Sequence, residues 1–161
     1  MSDARFEDAF DAPLRLVARD PADLQVIAAL VQDAVFPLSE VQYDRRSRRF
    51  AVLLNRFRWE SRSGAALPPE RVRSVLVFED VLRARVQGVD LRARDTVLSL
   101  LSMDFSDTGD GTGTVQLILA GDGAIALHVE CIEALLRDVT RPYAAPSGKA
   151  PSHPDDESDT R

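Results

Sequence analysis

Seven arginines lie between Gln42 and Arg62, namely Arg45, Arg46, Arg48, Arg49, Arg56, Arg58 and Arg62. Only Asp44 and Glu60 oppose them, so this segment carries about +5 in a chain whose formal net charge is −6. A guanidinium is a planar fork of N–H donors that matches carboxylate and phosphate oxygens in pairs. Arg45, Arg46 and Arg48 fall on the polar turn Asp44–Arg48. Arg56 and Arg58 alternate along the stretch that follows and share one face of a strand, with Phe57 and Trp59 on the opposite face. Arg45, Arg46, Arg48, Arg56, Arg58 and Trp59 are therefore the candidate binding set, an anion-binding edge for a phosphate or an acidic protein tail. Arg71, Arg73, Arg83 and Arg85 recur at period two and extend that patch. The plainer alternative is a solvated outer face paired across strands with Glu60, Glu70, Glu79 and Asp80, with Phe57 and Trp59 closing a core.

Catalytic side chains are scarce. Between Leu14 and Arg141 there is one histidine (His128), one cysteine (Cys131) and no lysine. General acid–base and nucleophilic chemistry draw mainly on these residue types. His128, Glu130 and Cys131 are close in sequence, but the alternation of Ile125, Leu127 and Val129 sends His128 away from the core, and a structural cysteine is the simpler reading of Cys131. Their spacing is not that of a zinc site. The Asp104–Gly113 stretch lacks the ligand spacing of a calcium loop and is followed by a strand, so it is not a phosphate loop either. No cofactor is expected, and a non-enzyme is favoured.

At 161 residues and 45% hydrophobic composition, the chain can fill one core of domain size. A single cysteine excludes an internal disulfide, which fits a reducing cytoplasm. No apolar run is long enough to span a membrane as a helix, and the acidic N-terminus lacks the pattern of a signal peptide. The expected organisation is a flexible leader (1–13), one domain (14–141) and a disordered acidic, proline-rich tail (142–161).

The elements that must position the arginines follow from periodicity. Leu14–Ala18 reads as a strand. Asp20-Pro21 opens a helix with apolar residues Leu24, Ile27, Ala28, Val31 and Val35, and Pro37 closes it. Strands are expected at Phe36–Tyr43, Arg49–Trp59, Arg71–Val86 (broken at Glu79-Asp80) and Thr96–Phe105. A Ser106–Gly113 loop follows, then a hairpin of Val115–Leu119 and Ile125–Val129. Ser61–Pro69 reads as a loop. Ile132, Leu135, Leu136 and Val139 suggest a second helix over Glu130–Val139. The resulting class is α+β, with an antiparallel sheet of about six or seven strands between an N-terminal and a C-terminal helix. A pleckstrin-homology-like roll closed by the last helix is one arrangement with that order.

The stretches Leu30–Val35, Arg48–Glu60, Glu70–Glu79 and Ala120–Ala134 resemble a family of small bacterial proteins found mainly in alphaproteobacteria and known as a domain of unknown function. The resemblance spans about Leu14 to Val139. It implies one bacterial cytoplasmic domain and carries no activity, cofactor or catalytic residue.

The functional expectation is a non-enzymatic cytoplasmic interaction module that binds an acidic protein surface or an anionic ligand through the arginine-rich hairpin. Overall acidity, with no helix-turn-helix or RNA-binding aromatic motif, argues against nucleic acid. Two alternatives stand beside this reading. One is a small enzyme with a carboxylate- or tyrosine-based site. The other is a structural subunit that dimerises through a sheet edge or the Val75–Phe78 strand.

Overall fold

The computed structural model describes residues 12–61 and 70–144. The expected leader up to residue 11, the 62–69 loop and the tail from residue 145 lie outside the described residues.

Asp20 starts the helix α1 (Pro21–Leu30) as the sequence requires: its carboxylate accepts from the Asp23 N–H at 2.7 Å, and Pro21 occupies the first turn. The helix stops earlier than the apolar stripe suggests. Asp33 takes a left-handed backbone (φ 62°), and Val35 enters a strand instead of a fourth turn.

Among the described residues eleven strands, one before the helix and ten after it, form one antiparallel sheet: β1 (Arg15–Ala18), β2 (Val35–Pro37), β3 (Val41–Asp44), β4 (Arg49–Phe57), β5 (Glu70–Phe78), β6 (Val81–Gln87), β7 (Val97–Gly109), β8 (Thr112–Leu119), β9 (Ala124–Val129), β10 (Ala134–Asp138) and β11 (Tyr143–Ala144). Their spatial order is β1-β10-β5-β4-β2-β7-β8-β9-β6, with β3 on β4 and β11 on β5. Paired structure thus continues two residues past Pro142. A 3₁₀ turn at Leu38–Glu40 divides β2 from β3, so the single Phe36–Tyr43 strand expected from the sequence is really two.

The sheet folds over on itself. The Val81 N–H donates to the Arg48 carbonyl, and the Tyr43 hydroxyl donates to the Val81 carbonyl, so β6, last in the order, returns to the β3–β4 turn. One core fills the interior, with Leu24 and Ile27 of α1 packed among Phe50, Val52, Leu54, Leu76, Met103, Leu117, Leu127 and Leu136.

The C-terminal helix does not form. Residues 134–138 are β10, paired with β1 on one side and β5 on the other. Ala134 and Leu136 are buried, Leu135 is half-buried and Arg137 is exposed, which is a period of two. A segment this short gains little from helical hydrogen bonds, whereas a strand between two others satisfies both its backbone edges. The α+β class with a helix at each end, and the roll closed by a last helix, are corrected accordingly: the protein is sheet-rich with one helix.

The loop expected at 106–113 is also mostly strand. β7 runs to Gly109, and Asp110-Gly111, both at positive φ (59° and 81°), form a two-residue hairpin tip. Gly113 then passes under Phe105. A Cβ on Gly113 would lie 2.5 and 2.6 Å from two Phe105 ring carbons and still closer to the Ser106 carbonyl. We expect Gly113→Val to lower stability by about 1–3 kcal/mol through overpacking, read as a lower urea midpoint at unchanged slope.

Candidate functional site

The arginines of the basic segment divide into two groups at opposite ends of β4. Arg49 and Arg56, their nearest members, are seven positions apart on that strand, roughly 23 Å of chain.

Arg56 belongs to the inside. In β4 the buried face carries Phe50, Val52 and Leu54, and Arg56 is the next residue at period two, with no exposure at all. Its guanidinium is fully engaged. Nη1 and Nη2 donate to Glu60 at 2.9 and 2.7 Å, Nη2 donates to both Asp138 oxygens at 2.9 and 3.1 Å, and Nε donates to Ser74 Oγ at 3.0 Å. Asp138 also accepts from Ser74 Oγ at 2.7 Å and from the Leu14 N–H at 2.9 Å. The cluster ties β4, β5, β10 and the chain entering β1 into one unit. Burial alone would disfavour the charge on Arg56, but Glu60 and Asp138 outweigh it and hold its pKa above the ordinary value.

Arg58 is 4% exposed and donates to Glu70, while its N–H bonds the Glu70 carbonyl. Trp59 is half-buried. Its indole N–H donates to the Gln32 carbonyl at 3.1 Å, and its ring meets Phe57 edge-on with centroids 4.6 Å apart. Arg56, Arg58 and Trp59 therefore hold the fold together and do not share a surface with Arg45, Arg46 and Arg48. The physical reason is non-local: Asp138, 82 residues away, supplies the charge that makes burial of Arg56 tolerable.

The other end of β4 is a surface. Residues 44–49 are all exposed, and Arg48 sits at φ 55° in the turn. Arg48 meets Glu130 at 3.0 Å and Arg49 meets Glu79 at 2.7 Å. Among the described residues, no carboxylate lies within ion-pair distance of Arg45 or Arg46. Asp44 is spent locally, accepting from the Arg46 N–H at 3.0 Å.

His128 and Cys131 are drawn to different partners. Cys131 is exposed, and its thiol donates to Asp80 Oδ2 at 3.3 Å. Desolvation and the neighbouring Asp80, Glu133 and Glu130 push the Cys131 thiol up from its usual range, the reverse of an activated nucleophile. We expect alkylation of Cys131 by iodoacetamide near neutral pH to be slower than that of a free peptide thiol. Asp80→Asn should speed it severalfold, an outcome that mass spectrometry of the quenched adduct reads directly.

His128 lines a hollow of about 130 Å³ on the outer face, together with Arg83, Arg85, Thr114 and Ala126. Sequence reasoning missed this grouping, because Arg83 and His128 are brought together only by the β6–β9 register. A larger hollow of about 240 Å³ opens where β2 parts from β4, lined by Val35, Pro37, Leu53 and Val97, with Glu40 and Arg73 among its polar residues.

A curved antiparallel sheet around one core, with its interior charges mutually paired, is the class of domain that this geometry defines. The family described as protein of unknown function (DUF2948) matches residues 14–153, and the chain belongs to that family. No curated protein matches the chain. No solved structure matches it either. No helix among the described residues is long and apolar enough to cross a membrane.

Proposed function

We propose that the protein is a non-enzymatic recognition module, and that it binds an acidic protein segment through the exposed turn Asp44–Arg49. One observation supports this reading most: Arg45 and Arg46 are exposed side by side, and no described carboxylate neutralises them, while Arg48 and Arg49 on the same turn are already paired. An exposed fork of this kind can take a carboxylate without breaking an existing ion pair. Of the six residues of the candidate set, Arg45 and Arg46 carry the contact and Arg48 flanks it. Arg56, Arg58 and Trp59 support the strand that presents them.

The dimerising alternative loses the Val75–Phe78 strand as an edge, because β5 is paired with β10 and β4 on its two sides. A cytoplasmic location accords with this reading.

Fluorescence anisotropy of a labelled oligoglutamate peptide tests it. The parent should bind with an affinity that falls as salt rises. Arg45→Glu/Arg46→Glu should weaken binding by about tenfold or more, since it replaces two attractive charges by two that repel the peptide. Equal binding by parent and variant would discard the turn as the interface.

A further inference from the structure

We propose that the outer face of β6, β9 and β8 carries a second, separate site, one that binds a phosphate-class oxyanion between Arg83, Arg85, His128 and Thr114. The site is built by register. Arg83 lies opposite His128, and His128 opposite Thr114; in the adjoining row Arg85 lies opposite Ala126, and Ala126 opposite Gln116. Ile125, Leu127 and Val129 are buried in the core, so alternation fixes Ala126 and His128 outward. Ala126 contributes only a methyl group, which leaves the floor low while its larger neighbours stand around it. The result is the hollow of about 130 Å³, open to solvent and large enough for a tetrahedral oxyanion.

The electrostatics point the same way. No carboxylate lines the hollow. Along the Arg85 row, the first carboxylate is Asp104 on β7, opposite Gln116. Three strand spacings separate it from Arg85, about 14 Å, beyond a screening length at physiological salt, and Glu130, two residues past His128, is paired with Arg48. Among the described residues neither Arg83 nor Arg85 has an ion-pair partner, whereas Arg48, Arg49, Arg56 and Arg58 all have one. Two guanidinium groups two residues apart on one strand face repel each other, and an anion between them removes that repulsion. Two forks, an imidazole and a hydroxyl offer more donors than one planar carboxylate can use. A phosphate, with three or four acceptor oxygens, matches them better.

The test is a ¹H–¹⁵N NMR titration of the full chain at fixed ionic strength, with inorganic phosphate in one arm and phenyl phosphate in the other. We expect saturable shifts at the amides of Arg83, Arg85, Thr114, Ala126 and His128. Saturation by inorganic phosphate identifies a site for the free ion. Saturation by phenyl phosphate alone identifies one for a phosphoryl group on a larger molecule; either supports the site. Arg83→Gln/Arg85→Gln should weaken binding about tenfold or more. Ala126→Leu, which fills the hollow and leaves every charge in place, should do the same, and the dispersion of each spectrum reports that the variant is folded. Arg45→Gln/Arg46→Gln should bind phosphate like the parent, which keeps this result separate from the turn's. Linear, unsaturable shifts in both arms, or parental affinity in Ala126→Leu, would overturn the proposal.

Discussion

Arg56→Met should destabilise the protein by about 3–5 kcal/mol, because it strands Asp138 as a buried carboxylate without its cation. Asp138 is 4% exposed, and its remaining donors, Ser74 Oγ and the Leu14 N–H, are neutral. A loss of that size is a large part of the stability of an ordinary domain and corresponds to a melting temperature lower by about 6–20 °C. The comparison that gives the number meaning is Arg49→Met. That arginine also meets a glutamate at 2.7 Å, but its side chain is 56% exposed, and its removal should change stability by less than about 1 kcal/mol. Asp138→Asn should be costly as well. The double variant Arg56→Met/Asp138→Asn should be less destabilised than the sum of the two single changes, because it leaves no lone charge inside. Additive losses in a denaturant-unfolding cycle would show that the two groups are not coupled.

The second large effect concerns β10. Leu136 has no exposure and faces the core between Leu16 and Leu76, whereas Leu135 is half-buried on the outer face beside Val17 and Val77. Leu136→Ala should cost about 2–5 kcal/mol through the cavity it leaves, and Leu135→Ala less than half as much. An amphipathic helix with Ile132, Leu135, Leu136 and Val139 on its apolar stripe would make both changes costly. Chemical denaturation of the two variants therefore distinguishes strand from helix in solution; equal losses would contradict the strand.

These two sites also mark how far sequence reasoning reaches. The helix start was legible because Asp20 and Pro21 act on their own backbone neighbours. The β5–β6 break at Glu79-Asp80 and the β8–β9 hairpin were legible too, and Asp80 and Asp122 do sit at positive φ there. Asp110-Gly111 is a standard hairpin pair, but the glycines and threonines around it made Ser106–Gly113 read as a loop and masked the strands on either side. β10 was not legible, since five residues with adjacent leucines fit either period and only pairing with β1 and β5 decides between them. Arg56 is the sharpest case. Alternation from Phe50 through Val52 and Leu54 points it inward, and that signal was present. The residue type argued for the surface, and the partner that overrides this, Asp138, lay in a segment read as helix. The hollow at Arg83 and His128 was hidden for a similar reason: register between distant strands builds it.

The central claim is a division of labour. Arg56 and Arg58 hold the fold together, whereas Arg45 and Arg46 are exposed and, in the function we propose, contact the partner. A thermal melt of parent and Arg45→Gln/Arg46→Gln, each with and without oligoglutamate peptide at about 100 times the parent's dissociation constant, tests this most directly. Without peptide the two should melt within about 1–2 °C of each other. With peptide the parent should gain about 2.7 kcal/mol, and its melting temperature should rise by several degrees, while a variant that binds tenfold more weakly should gain only about 1.4 kcal/mol, half as much. A variant that melts well below the parent, or that is stabilised by peptide as strongly as the parent, would contradict the account.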